Sequence, residues 1–311
     1  MDKPVKANLF MLCFMVYNGL LPIAVAVLIK LIPGVDYDMF EKYITLFQHL
    51  LVFALPIGFY CMVTGNRLRD IVPHDTLALK NVILVVFIAL FTLPLMLWVG
   101  SITEFFVPDN EDIVSQYIER YSMGFLVAAI GVMPGVFEEL MFRGVIMTGY
   151  KRMGLIKAAF FSALFFGIMH LDLYQLAYAA VAGMIFGILV HYTNSIYSSM
   201  LAHFIINSIQ VVLSKIQDPD TAAKAEEYTH MEIFADATIF LAFTLPVLIG
   251  LLYLFIRVNR GRNIDYKYSL DARREFVTDL EAGRGRIIDV PFVSVIVFYI
   301  LYMKIMNFMT A

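Results

Sequence analysis

Charge is scarce in this chain. Only 16% of its 311 residues are Asp, Glu, Lys or Arg, against about 25% in soluble domains. Hydrophobic residues make up 60%, and the mean hydropathy is +0.77. Together these exclude an ordinary soluble domain. Cysteine is nearly absent. Cys13 and Cys61 both lie in apolar segments, which excludes a disulfide framework and a Cys-based zinc site. The chain has no Gly-rich phosphate loop, no long low-complexity tract and no His-Glu-x-x-His sequence. No internal repeat of the kind found in inverted-repeat transporters is visible. The first apolar stretch is too long for a signal peptide and lacks a small-residue cleavage site, so it reads as a retained helix. The net charge of −3 says little about partners.

What is present is a series of long apolar runs. Runs of about 20 apolar residues mark spanning helices, and the sequence predicts nine: 9–32, 43–65, 81–100, 123–149, 156–173, 175–192, 196–214, 233–256 and 290–308. The fold class expected is an all-α polytopic integral membrane protein with about eight to nine transmembrane helices. Three parts are expected: N-terminal helices in 1–122, a core in 123–215, and C-terminal helices in 216–311 that enclose the basic segment 257–286. Lys and Arg cluster on alternate loops, which predicts a cytoplasmic N-terminus and, with nine spans, an external C-terminus. The basic segment is then cytoplasmic and near anionic lipid. The outer loops 104–119 and 218–232 are acidic and read as solvated. Gly183-x-x-x-Gly187 permits close helix packing, and the 18 Met residues read as core filler.

Against this background the polar residues stand out. Glu138 and Glu139 are adjacent in an apolar helix, and an ionisable side chain at bilayer depth is costly enough to point to function. Two further polar pairs, His170 after Phe166 and His203 with Asn207, occupy other apolar runs. With a helical rise of about 1.5 Å per residue, Glu138, His170 and Asn207 lie about 18–20 Å from the cytoplasmic boundary and His203 about 12 Å. Arg143, four residues after Glu139, needs a buried partner, and an i,i+4 Glu–Arg pair has favourable geometry. Glu139 is therefore assigned to the ion pair and Glu138, about 100° further round the helix, to a cavity. Pro134-Gly135 is expected to loosen the helix one turn earlier. His49 and His191 match no pattern and read as packing or interfacial residues.

The motifs Glu138-Glu139-x-x-x-Arg143, Phe166-x-x-x-His170 and His203-x-x-x-Asn207 resemble the signature of the CPBP (CAAX protease and bacteriocin-processing, Abi) family of intramembrane proteases. Type II CAAX prenyl endopeptidases belong to it. All three appear in the family's order within about a quarter of the chain. The resemblance implies hydrolysis of a peptide bond in a membrane-associated or lipid-modified protein or peptide. Glu138 and His170 would activate water, His203 and Asn207 would stabilise the oxyanion, Glu139 and Arg143 would hold the site, and Phe166 would shape it. The implied localisation is a bacterial plasma membrane, with lipid and a membrane-associated substrate as partners and no nucleic acid. The resemblance favours a glutamate mechanism without a cofactor. Glu138, His170 and His203 would also make a catalytic zinc set.

Each motif has a structural alternative. Glu139 with Arg143 is also a clamp for a scaffold, His170 beside Asp172 is also a cap at a helix end, and His203 with Asn207 is also interhelical glue. A non-catalytic scaffold or bacteriocin-immunity protein of the same family is therefore the second reading. A complete motif set favours the protease, because a scaffold has no need of one.

Overall fold

The computed structural model describes residues 4–32, 37–107, 118–216, 228–260 and 288–310. Most of the basic segment 257–286 and parts of both acidic loops lie outside the described residues. The fold is all-α and polytopic. Among the described residues, seven helices are long and apolar enough to cross a membrane: α1 Pro4–Leu31, α2 Phe40–Thr64, α3 Leu79–Thr103, α4 Met123–Gly149, α6 Leu173–Thr193, α7 Ile196–Ile216 and α8 His230–Asn259. The apolar helix α5, Leu155–Ile168, is shorter, and α9, Val290–Thr310, closes the described chain.

The fifth predicted span, 156–173, is corrected by this structure. Met169, Leu171 and Leu173 keep the sequence apolar past the helix end, so hydropathy does not reveal the break. The side chain of Asp172 accepts the Gln175 backbone N–H at 2.9 Å and caps α6, fixing where the next helix begins. Leu171 takes a left-handed conformation with φ 54°, which a branched side chain adopts only under constraint from its surroundings. His170 therefore sits in a tight turn between two helices rather than inside one.

Helices α5 and α6 form a tightly packed antiparallel pair, α8 and the α6–α7 pair pack on α3, and α1 packs on α9. One apolar core joins α1, α2, α4 and α5; a second joins α3, α6, α7 and α8. The Gly183-x-x-x-Gly187 stripe faces α5: a Cβ at Gly187 would lie 2.8 Å from Ala159 Cβ, and one at Gly183 would lie 3.1 Å from Ala163 Cα. Buried amides tie remote helices together. Asn81 and Asn259 exchange two hydrogen bonds of 2.9 Å between α3 and α8. Asn8 donates to Asp289 at 2.9 Å and accepts from Tyr150.

Two helices change pitch where the site is built. In α4, wide π turns cover Val127–Val132 and Leu140–Ile146, with an α-helical Met133–Glu139 between them. In α2, a π turn covers Leu50–Ala54. Pro134 and Pro56 follow the first π turn of each helix closely. A proline removes the donor to the carbonyl four residues back, and a π turn is one way for the ladder to absorb the loss.

Candidate active site

Helix α4 supplies the acidic residues. Glu139 and Arg143 form the ion pair, with Arg143 Nη1 donating to Glu139 Oε1 at 2.7 Å and both side chains fully buried. Arg143 Nη2 donates to the Gly183 carbonyl at 3.1 Å. The guanidinium also lies over the rings of Phe166 and Phe186, 4.6 and 5.1 Å from their centroids. Such faces stabilise a desolvated cation. Phe166, expected to shape the site, does so as one wall of the arginine's enclosure. Gly183 is required by this arrangement, because a Cβ there would come within 2.9 Å of Arg143 Nη2.

Helix α7 crosses α4 closely. A Cβ at Gly135 would lie 3.3 Å from the Phe204 backbone nitrogen, so the absent side chain lets the two backbones approach beside the glutamates. The crossing brings His203 between them. Its Nδ1 is 2.9 Å from Glu139 Oε1, and its Nε2 is 3.8 Å from Glu138 Oε2. The ring stacks on Phe186 at 5.3 Å. One helical turn on, Asn207 Nδ2 donates to the Ile130 carbonyl at 2.8 Å. One of its two N–H groups is thus committed to α4.

His170 reaches the same region from the α5–α6 turn. Its ring packs edge-on against Phe166 at 5.2 Å, the same ring that meets His203 at 5.7 Å. Its Nδ1 is 2.9 Å from the Phe166 carbonyl. A carbonyl only accepts, so Nδ1 carries the proton, and neutral His170 presents a lone pair at Nε2. The same reasoning holds for His203 against the Arg143-paired carboxylate of Glu139.

The sequence reading missed His49. It is not an isolated packing residue. Its Nε2 lies 3.6 Å from Glu138 Oε1, its residue is 8% exposed, and its ring stacks on Phe53 at 5.7 Å. Glu138, 7% exposed, therefore has an imidazole at each carboxylate oxygen. A depth signal was present in the sequence. In the charge-derived topology His49 lies six residues, about 9 Å, from the outer end of its span. Glu138, about 18 Å above the inner boundary of a core about 30 Å thick, lies about 12 Å from that same face.

The arrangement gathers two carboxylates, one guanidinium and three imidazoles in apolar surroundings. Among the described residues no three His, Cys, Asp or Glu side chains are grouped so as to hold a metal ion.

Residues 121–209 match the family model described as Type II CAAX prenyl endopeptidase Rce1-like. This segment contains Glu138, Glu139, Arg143, Phe166, His170, His203 and Asn207, and it ends before α8. The match carries the CPBP resemblance of the three motifs and, as a general class, a CAAX-type intramembrane protease. No curated protein and no solved structure matches the chain.

Proposed function

We propose that the protein is an intramembrane endopeptidase of the glutamate type, acting on a membrane-associated or lipid-modified protein or peptide. The observation that carries this reading is the Glu138 carboxylate, buried in an apolar helix beside His203 within the segment that matches the protease family. A structural ion pair accounts for Glu139 and Arg143 but leaves Glu138 without a reason to be buried. Glu138 has an imidazole beside each carboxylate oxygen and no fixed cation of its own, which leaves an oxygen able to take a proton from water.

In the proposed reaction Glu138 takes a proton from water, with His170 Nε2 accepting a hydrogen bond from the same molecule. The resulting hydroxide attacks the scissile carbonyl carbon. His203, protonated on both nitrogens and held by Glu139, donates Nε2–H to the developing oxyanion. The free N–H of Asn207 is the second donor. Fixed donors in a water-poor site stabilise such charge far more than solvent does. Glu138 then returns its proton to the amide nitrogen, the C–N bond breaks, and a carboxylic acid and an amine leave. An apolar cavity of about 300 Å³ beside α2 is lined in part by Phe137 and Leu140, which flank the glutamates in sequence, and by Arg67. It offers space for an apolar portion of the substrate.

The test is cleavage of co-reconstituted membrane peptides by wild type, Glu138→Ala and His203→Ala, each with and without a zinc chelator. Loss of cleavage in both variants, with chelator-resistant wild type, supports the glutamate mechanism. Chelator-sensitive wild type replaces it with a zinc mechanism. Variants that keep the cellular phenotype of wild type favour the scaffold reading.

A further inference from the structure

The three imidazoles around Glu138 are not equivalent. His170 and His203 each use Nδ1–H as a donor, to the Phe166 carbonyl and to Glu139. Their Nε2 atoms are therefore lone pairs whenever the rings are neutral. The Nδ1 of His49 is buried and has no hydrogen-bond partner. Nothing holds a proton there, so neutral His49 is free to carry it on Nε2, the atom facing Glu138 Oε1 at 3.6 Å. That gap is a few tenths of an ångström beyond a direct hydrogen bond, and a small rotation of either side chain closes it.

Local structure reinforces the assignment. His49 sits at the junction where α2 passes into its π turn, Leu50–Ala54. Wide turns inside α-helices recur at functional sites because they re-aim the side chains beside them. The ring is held by stacking on Phe53. Helix α2 lies outside residues 121–209, so the family match does not include this contact.

We propose that His49 is a positioning residue for Glu138: it donates Nε2–H to one carboxylate oxygen and leaves the oxygen beside His203 to act as the base. This inference rests on the protease reading for its catalytic consequence, but not for the contact itself. The surroundings of Glu138 are thus assembled from two separate regions of the chain, one inside the family-matching segment and one outside it.

The experiment has two readouts on the full-length protein. Histidine 15N NMR of wild type in detergent or nanodiscs reads the His49 tautomer. The expected result is a proton on Nε2 with Nδ1 unprotonated, and a changed Nε2 resonance in Glu138→Gln. Peptide cleavage then compares His49→Phe, which keeps the stacking ring without a donor, with His49→Gln, which keeps an N–H. A fall in kcat of about 100-fold for His49→Phe with KM little changed is expected, as for a misplaced reacting group, with partial recovery in His49→Gln. An Nδ1–H tautomer, or a His49 resonance indifferent to Glu138→Gln, overturns the proposal. Equal kcat in all three proteins also overturns it and makes His49 a packing residue. A wild type that cleaves nothing while His49 still responds to Glu138→Gln removes the protease reading and sustains the His49–Glu138 contact.

Discussion

Asn207 donates at 2.8 Å to the carbonyl of Ile130, the group that loses its helical i+4 donor because residue 134 is proline. A side chain from α7 thus replaces a backbone hydrogen bond that α4 cannot make. The contact explains why α7 docks in one register, and that register sets His203 against the glutamates one turn earlier. It also means that Asn207 serves the fold as well as any oxyanion, as the interhelical alternative anticipated.

This relationship has a measurable signature. Asn207→Ala should lower stability by about 0.6–1.7 kcal/mol, the range for interhelical hydrogen bonds in membranes. In a Pro134→Ala background, where the substituted residue regains a backbone N–H, the same change should cost less. A double-mutant cycle on unfolding free energy reads the difference as coupling. Strict additivity would show that the two residues act independently.

Glu138 and Glu139 should behave as opposites despite being adjacent. Glu139→Gln leaves Arg143 buried without a countercharge and should destabilise the protein by about 3–5 kcal/mol. Glu138→Gln removes no such partner and should leave the unfolding midpoint within a few degrees of wild type while abolishing cleavage. Thermal unfolding of the two purified variants, beside a cleavage assay, distinguishes loss of fold from loss of chemistry.

Gly183→Ala should be more damaging than a single methyl group suggests. The new Cβ would press on both Arg143 Nη2 and the α5 backbone at Ala163. Overpacking of this kind costs about 1–3 kcal/mol. Because the displaced group is the partner of Glu139, activity should fall further than stability alone accounts for. Gly250→Ala, with nothing within 4 Å of the added atom, is the control and should be neutral in both assays.

Asp172→Ala should loosen the turn that carries His170. Loss of the α6 cap costs about 1 kcal/mol, and the predicted kinetic effect is a lower kcat rather than a raised KM. Asp172→Asn, which retains a capping oxygen, should recover most of the loss. A substitution pair with identical kinetics would separate the cap from the position of His170.

How much of this was legible in the sequence differs from residue to residue. The borders of α4, 123–149, follow from hydropathy alone. The Glu139–Arg143 pair follows from i,i+4 spacing and the cost of an unpaired arginine at depth. The end of α5 did not, because it is set by a cap and a left-handed Leu171 amid apolar residues, where hydropathy is flat. The π turns left only prolines as a trace. They rotate the faces of α2 and α4 away from where a regular helix would place them, which obscured the meeting of His49 and Glu138. His49 also lies about ninety residues before its partner, so no local motif could bind them, although their depths in the bilayer agreed.

The short helix α5 carries a last consequence. Its 14 residues rise about 21 Å, less than the hydrocarbon thickness of about 30 Å, so the α5–α6 pair turns back before it would reach the far face. Irregular backbone at such depth survives only against protein or water, never against lipid. Hydrolysis has two reactants, and a lipid-embedded peptide is the one a membrane enzyme meets readily. Water is the scarce one. A hairpin that stops short at His170 puts polar backbone, met by Asn18 of α1 at the Met169 carbonyl (3.3 Å), in place of a continuous apolar wall, and in the proposed reaction that polar break is where the second reactant would approach the carboxylate.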